Sequence, residues 1–272
     1  MGDKASRTPG RPLIIIGLIT IAFLIIIYGR YQDPILYTPD AIDDFQRMAN
    51  GFYIILLIAF GAIGFGFYKY HKYKISQDPQ GKLSIIALLT WNSKSKKIFV
   101  ATFVAYGIFF TLTSGTLVYQ PEVSFSYHYG AEIPSIEIAP CCDYPGYMPK
   151  ILVYLTDNVG LQIIPLNLVL QVTVSFLVAL NTAIAVSAYT LSRKGRSISG
   201  IGAVTGLFIA CPTCVGTFLS IFVGTASGIA LTVALTQLQT LFIAVTIPIL
   251  IATPFILARK LQNPDGSCAI EL

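Results

Sequence analysis

The sequence predicts an all-α polytopic membrane protein: a bundle of about six transmembrane helices with a small extracytoplasmic cap. Three observations predict it. Charged residues make up 11% of the 272 and hydrophobic residues 54%, where soluble domains carry roughly 25% charged residues. The apolar residues gather into long runs, and about 20 of them in a helix cross the hydrocarbon core of a bilayer. Lysine and arginine concentrate in alternate connecting segments, as they do when one side of a membrane is cytoplasmic.

Residues 1–12 are polar and basic. The apolar run that follows has no small-residue cleavage site, so it reads as an uncleaved first span, Leu13 to Tyr28, rather than a signal peptide. In the polar segment after it, Thr38-Pro39-Asp40 has the form of a helix start, with Thr38 as cap and Pro39 in the first turn. Ile42, Phe45 and Ala49 then share a face, which predicts a short helix on the membrane surface. Gly51 to Tyr68 is the second span, and Gly61, Gly64 and Gly66 permit close helix packing there. In the basic loop from Lys69 to Lys97, Leu83 to Trp91 is apolar on one face and reads as an interfacial helix. Ile98 to Tyr119 is the third span.

Residues 120–161 form the longest hydrophilic segment and the expected cap. Val123 to Tyr129 and Ile151 to Leu155 alternate as strands do. Ile163 to Leu191 is the fourth span. Asn167, Gln171 and Ser175 recur every four residues on one of its faces. Polar groups in hydrocarbon need partners, so this face is expected to look into the bundle, and helix-to-helix hydrogen bonding explains it most simply. Gly200 to Phe222 is the fifth span, Gly224 to Gln239 a re-entrant or interfacial half-helix, and Thr240 to Ala258 the sixth span, kinked at Pro248 and Pro254. The domain order is thus a cytoplasmic N-terminus (1–12), helices one to three (13–119), the cap (120–161), helices four to six (162–258) and a cytoplasmic tail (259–272).

Six spans put both termini on one side. With that side cytoplasmic, it holds fifteen of the 18 Lys and Arg, and the outer side holds only Arg30, Arg47 and Lys150. Nine of the 13 acidic residues fall outside. The net charge of +5 therefore resolves into two membrane faces and is no nucleic-acid footprint. No ionisable acid or base lies inside a span, which argues against a proton pump or an ion-coupled carrier. A phosphate-cradling glycine loop with its lysine is lacking, and Gly200-Ile201-Gly202 is too little for a dinucleotide fingerprint. The expected surroundings are the lipid bilayer and other membrane subunits, with neither nucleotide nor nucleic acid. With no nucleophile–histidine pair, the reading leans away from an enzyme.

The chemistry centres on Cys211-Pro212-Thr213-Cys214, near the middle of the uncharged fifth span. The proline removes a backbone donor, and freed backbone polar groups are costly in hydrocarbon unless neighbouring helices or water satisfy them. The simplest reading is a proline kink with two buried cysteines acting as small hydrophobes. The functional reading is a dithiol, since residues three apart share a helix face. Outside, Cys141, Cys142, Met148 and His128, with Met48, make a candidate soft-metal set. Thiolate and thioether ligands favour Cu(I). Against this stand a structural disulfide at Cys141 and Cys142 and a packing role for His128. A third reading is thiol–disulfide exchange, with Cys141, Cys142, Cys211 and Cys214 passing electrons through mixed disulfides. Cys268, in the tail, is incidental.

Cys211-Pro212-Thr213-Cys214 resembles the membrane Cys-Pro-Cys of heavy-metal P-type ATPases, with one more residue between the thiols and no phosphorylation or nucleotide domain in the chain. It also resembles the dithiol of membrane thiol transporters and vitamin-K-epoxide-reductase-like proteins. The Cys141-Cys142 pair is similar to that of mercuric-ion transporters, where the pair lies within a span. The isoleucine-rich spans resemble those of archaeal membrane proteins of copper-dependent ammonia oxidisers. These resemblances imply soft-metal handling, a thiol oxidoreductase, or an accessory subunit of a larger, copper-dependent membrane complex.

Overall fold

The computed structural model describes residues 8–30, 42–77, 82–114, 116–140, 146–192 and 246–256. In chain order the elements are α1 (Arg11–Arg30), α2 (Ile42–Gln77), α3 (Lys82–Trp91), α4 (Ser93–Thr113), β1 (Leu117–Tyr119), α5 (Phe125–Tyr129), β2 (Ser135–Ala139), β3 (Lys150–Tyr154), β4 (Val159–Ile163) and α6 (Pro165–Ser192). An apolar helix, α7 (Thr246–Ile256), closes the described part. Four helices are long and apolar enough to cross a membrane: Arg11–Arg30, Asp44–Ser76, Ser93–Leu112 and Pro165–Ser187. The fifth expected span, Gly200 to Phe222, and the half-helix after it lie outside the described residues, as does part of the sixth. The chain divides into two compact units, Met1–Tyr73 with Ser114–Leu170, and Lys74–Thr113 with Gln171–Leu272.

In the first unit α1 and α2 pack antiparallel along a seam of small and apolar residues. On α2 the buried positions Phe45, Ala49, Phe52, Leu56 and Ala59 step by four and three. That spacing keeps one stripe facing a partner over many turns. It explains why the surface helix expected before Gly51 and the second span are one continuous helix. At ~1.5 Å per residue its 36 residues reach about 54 Å, well beyond the hydrocarbon core. Glycines set the closest approach. A Cβ on Gly66 would fall 2.9 Å from the Gly10 carbonyl oxygen and 3.1 Å from the Ile14 nitrogen, and one on Gly17 3.1 Å from the Ala59 carbonyl oxygen. Gly61 and Gly64 have open space instead, so of the three glycines singled out by sequence only Gly66 serves this contact.

The cap is an antiparallel sheet in the order β1-β4-β3-β2. It starts within what reads by sequence as the end of the third span: α4 stops at Thr113, and Leu117–Tyr119 pairs with β4. The described chain is therefore mostly helical with a small antiparallel sheet rather than purely α. The segment Val123 to Tyr129, strand-like by alternation, forms the short helix α5. Ser124 caps its start by accepting from the Tyr127 N–H, and Gly130 ends it in the left-handed conformation at φ 65°. Phe125 packs on Tyr154 with ring centroids 5.4 Å apart, and stands 3.4 Å from where a Gly160 Cβ would be. Gly160 and Tyr154 are cross-strand partners, so α5 covers their face of the sheet.

In the second unit polar side chains join the helices. Gln171 of α6 donates to the Gly107 carbonyl at 2.9 Å and the Thr111 hydroxyl at 2.7 Å on α4. Asn181 donates to the Leu250 carbonyl on α7 at 2.9 Å. Ser187 and Ser95 share a hydrogen bond of 2.7 Å. Val174, Val178 and Leu250 form the apolar core between them. The segment expected to lie on the membrane surface, Leu83 to Trp91, is α3. It buries Ser84, Ile86, Ala87, Leu89 and Thr90 within this unit.

Candidate functional site

Cys211, Cys214, Cys141, Cys142 and Cys268 all lie outside the described residues. The structure does describe both flanks of the outer cysteine pair. The Tyr28 hydroxyl, near the end of α1, donates to the Pro140 carbonyl at 2.7 Å, on the residue immediately before Cys141. On the other side, the Leu166 N–H at the start of α6 donates to the Gly146 carbonyl at 2.9 Å. The Tyr53 hydroxyl of α2 bonds the carbonyls of Pro149 at 2.5 Å and Ile163 at 3.2 Å. Tyr28 and Tyr53 each stand at an edge-to-face angle to Phe52, at 5.2 and 5.5 Å, which fixes the direction of both hydroxyls. The stretch that bears Cys141 and Cys142 thus leaves from and returns to backbone held by three helices.

Met148 lies inside this arrangement. It is 7% exposed and packs with Ile21, Tyr28, Ala49, Phe52, Leu56 and Ala59, while Ile138 and Ala139 of β2 pack on the same cluster. Its thioether fills the core under the sheet, a role for which an unbranched side chain is well suited. His128 has a different setting. It is exposed on α5, and its Nδ1 lies 3.2 Å from the Ser124 carbonyl oxygen. Met48 is exposed on α2. The soft side chains grouped by sequence therefore divide: Met148 is enclosed in the core, whereas His128 remains open to solvent. Among the described residues no three His, Cys, Asp or Glu side chains gather as a metal-ligating group.

Part of the polar face of α6 is used in packing. Gln171 and Asn181 both hold neighbouring helices, while the Ser175 hydroxyl and the Asn181 carbonyl oxygen are buried with no hydrogen-bond partner among the described residues. Sequence reasoning missed Tyr28 and Tyr53, although each is a single polar tip near the end of an apolar span. It also missed Asp157 in the β3–β4 turn. The Asp157 carboxylate accepts from the hydroxyls of Ser126 at 2.5 Å and Ser124 at 3.2 Å, tying α5 to the hairpin. The Ser126 bond above all, with that of Ser124, holds the carboxyl below its usual pKa.

No protein-family profile matches the chain, and no curated protein or solved structure is similar to it.

Proposed function

We propose that this chain handles a soft metal ion, Cu(I) above all, at the outer face of a membrane. In this reading Cys141 and Cys142 capture the ion and Cys211 and Cys214 receive it within the bilayer, with both termini cytoplasmic. Two thiolates of each pair suit a soft monovalent cation. One observation carries the proposal: the backbone on both sides of Cys141-Cys142 is held by helix residues through Tyr28, Tyr53 and Leu166. Ligands on braced backbone bind without first losing the entropy of a loose loop. Met148 supplies packing in this account, and His128, on the open surface of α5, is an auxiliary donor.

Copper content of the purified protein tests it. Cys141→Ser with Cys142→Ser and, separately, Cys211→Ser with Cys214→Ser should each lower bound copper. Unchanged copper in both variants would sink the proposal. A disulfide at either pair that forms and opens under thiol buffers, with no copper bound, would instead establish the thiol–disulfide relay.

A second reading is an accessory subunit of a larger membrane complex. What favours it is the use of Gln171, Asn181 and Ser187 as helix-to-helix ties. Stoichiometric co-purification after mild solubilisation, lost on stripping other chains, tests that reading.

A further inference from the structure

The open face of α2 runs opposite its seam with α1. Ile54, Ile58, Gly61, Phe65, Tyr68 and Lys72 are all exposed and step by four and three, the same spacing as the buried stripe on the other side. The chemistry of this face changes along the helix. Ile58 is 65% exposed, Phe65 52% and Tyr68 48%. Lys69 and Lys72 follow, both exposed. The 21 residues from Met48 to Tyr68 carry no charge. At ~1.5 Å per residue they cover about 30 Å, the thickness of the hydrocarbon core. An aliphatic run, then aromatic rings, then cations follows the layers of one leaflet from acyl chain to headgroup.

The start of α1 brings a third cation to the same end. Arg11 is its first residue and is exposed. The preceding Gly10 lies against α2, where a Cβ on it would fall 3.2 Å from the Lys69 Cβ. The Lys69 ammonium sits over the Phe65 ring, 4.7 Å from its centroid. The ring holds it at the margin of the apolar surface, and an ammonium on a ring face keeps N–H donors for an oxygen anion on its far side. Arg11, Lys69 and Lys72 have no ion pair among the described residues. The acidic residues of α1 and α2 are Asp43 and Asp44, both in the first turn of α2, at its other end. Cations without carboxylates select an anion, and the apolar stripe that runs up to them selects one that carries hydrocarbon. An inorganic anion gains nothing from Ile58 and Phe65. An anionic phospholipid meets both parts of the face at once.

We propose that Arg11, Lys69 and Lys72 form a headgroup site for an anionic phospholipid, whose phosphate meets the three cations and whose acyl chain lies along Phe65 and Ile58. The site rests on the chain lying in a bilayer and is independent of metal handling.

The test is the lipid selectivity of the full chain reconstituted in phosphatidylcholine vesicles. Phosphatidylglycerol and phosphatidylcholine, each spin-labelled on the acyl chain, are compared for the fraction held motionally restricted at the protein surface. The parent chain should prefer phosphatidylglycerol. A basic side chain near an anionic headgroup contributes about a fivefold preference, so Lys69→Gln/Lys72→Gln should lower the preference by roughly fivefold or more. Lys94→Gln/Lys97→Gln removes as much charge at the start of α4 and should leave most of the preference in place. Lys69→Arg/Lys72→Arg should retain it, and salt at about 0.5 M should weaken it by screening. Because both lysines are exposed, the glutamine variant should keep the parent's thermal unfolding profile; if it does not, Lys72→Gln alone, farther from the seam, is used and must lower the preference likewise. No preference in the parent chain, an equal fall in both glutamine double variants, or displacement of the lipid by excess inorganic phosphate would overturn the proposal. Protein that fails to float with the vesicles would overturn the membrane reading, and the site with it.

Discussion

Two tyrosine hydroxyls are the smallest parts of the molecule on which the functional account depends. Tyr28 and Tyr53 hold backbone carbonyls at Pro140, Pro149 and Ile163. Each such bond contributes about 1 kcal/mol net. Tyr53→Phe should therefore destabilise the first unit by about 1–2 kcal/mol, read as a lower midpoint in thermal unfolding in detergent. Combined with Tyr28→Phe it should also lower copper bound at Cys141 and Cys142, while thiol reactivity at Cys211 and Cys214 stays as it is. Asp157 gives a pH prediction. Its pKa in the folded chain lies below the unfolded value of 3.8 because Ser126 and Ser124 bond the ionised form. Its contribution is thus present above the unfolded value and is lost as pH falls through the lowered folded value. Amide exchange over Phe125–Tyr129, followed as protection factors, should rise only at strongly acid pH in the parent chain. In Asp157→Ala the protection should already be reduced at neutral pH. In the second unit, Gln171→Leu removes two bonds to α4 and should cost about 1 kcal/mol, the usual size of a polar tie between membrane helices.

At the scale of elements, the seam between α1 and α2 makes the sharpest demand. A side chain on Gly66 meets backbone of α1, which cannot swing aside. Gly66→Ala should destabilise by roughly 1–3 kcal/mol, as overpacking does, whereas Gly61→Ala and Gly64→Ala should be neutral or slightly stabilising. Thermal midpoints of the three variants check this. The same seam shows how far periodicity reads. Apolar runs locate α1, α2, α4 and α6, because length and hydropathy are properties of each run alone. Hydropathy does not tell that α2 continues through Gly51, because its amphipathic start and apolar middle read as two elements. Only the shared stripe from Phe45 to Ala59 joins them. Alternation locates β3 but not α5, because at Val123 to Tyr129 two local caps, Ser124 and Gly130, outweigh a weak period of two. The end of the third span reads as helix for a related reason. Leu117–Tyr119 is as apolar as a membrane helix, but its pairing with β4, 40 or more residues away, carries no local signal.

At the scale of the whole molecule, the sequence conveys a membrane-spanning chain with a cap, and the structure adds four helices able to span and a four-stranded antiparallel cap sheet. The candidate site was only partly legible. Cysteine spacing is the signal that raises thiol chemistry, and all five cysteines lie outside the described residues. Residue type alone placed Met148 among the ligands, since a sequence does not distinguish a thioether in a core from one at a surface. The bracing by Tyr28 and Tyr53 depends on contacts 112 and 96 residues apart, which no motif announces. The most direct measurement is copper per chain in protein purified in mild detergent without chelator, compared with Cys141→Ser/Cys142→Ser and Cys211→Ser/Cys214→Ser. The account predicts about one copper per chain, bound through thiolates, and a loss in each double variant. Copper at background in the parent chain, or copper undiminished in both variants, would contradict it.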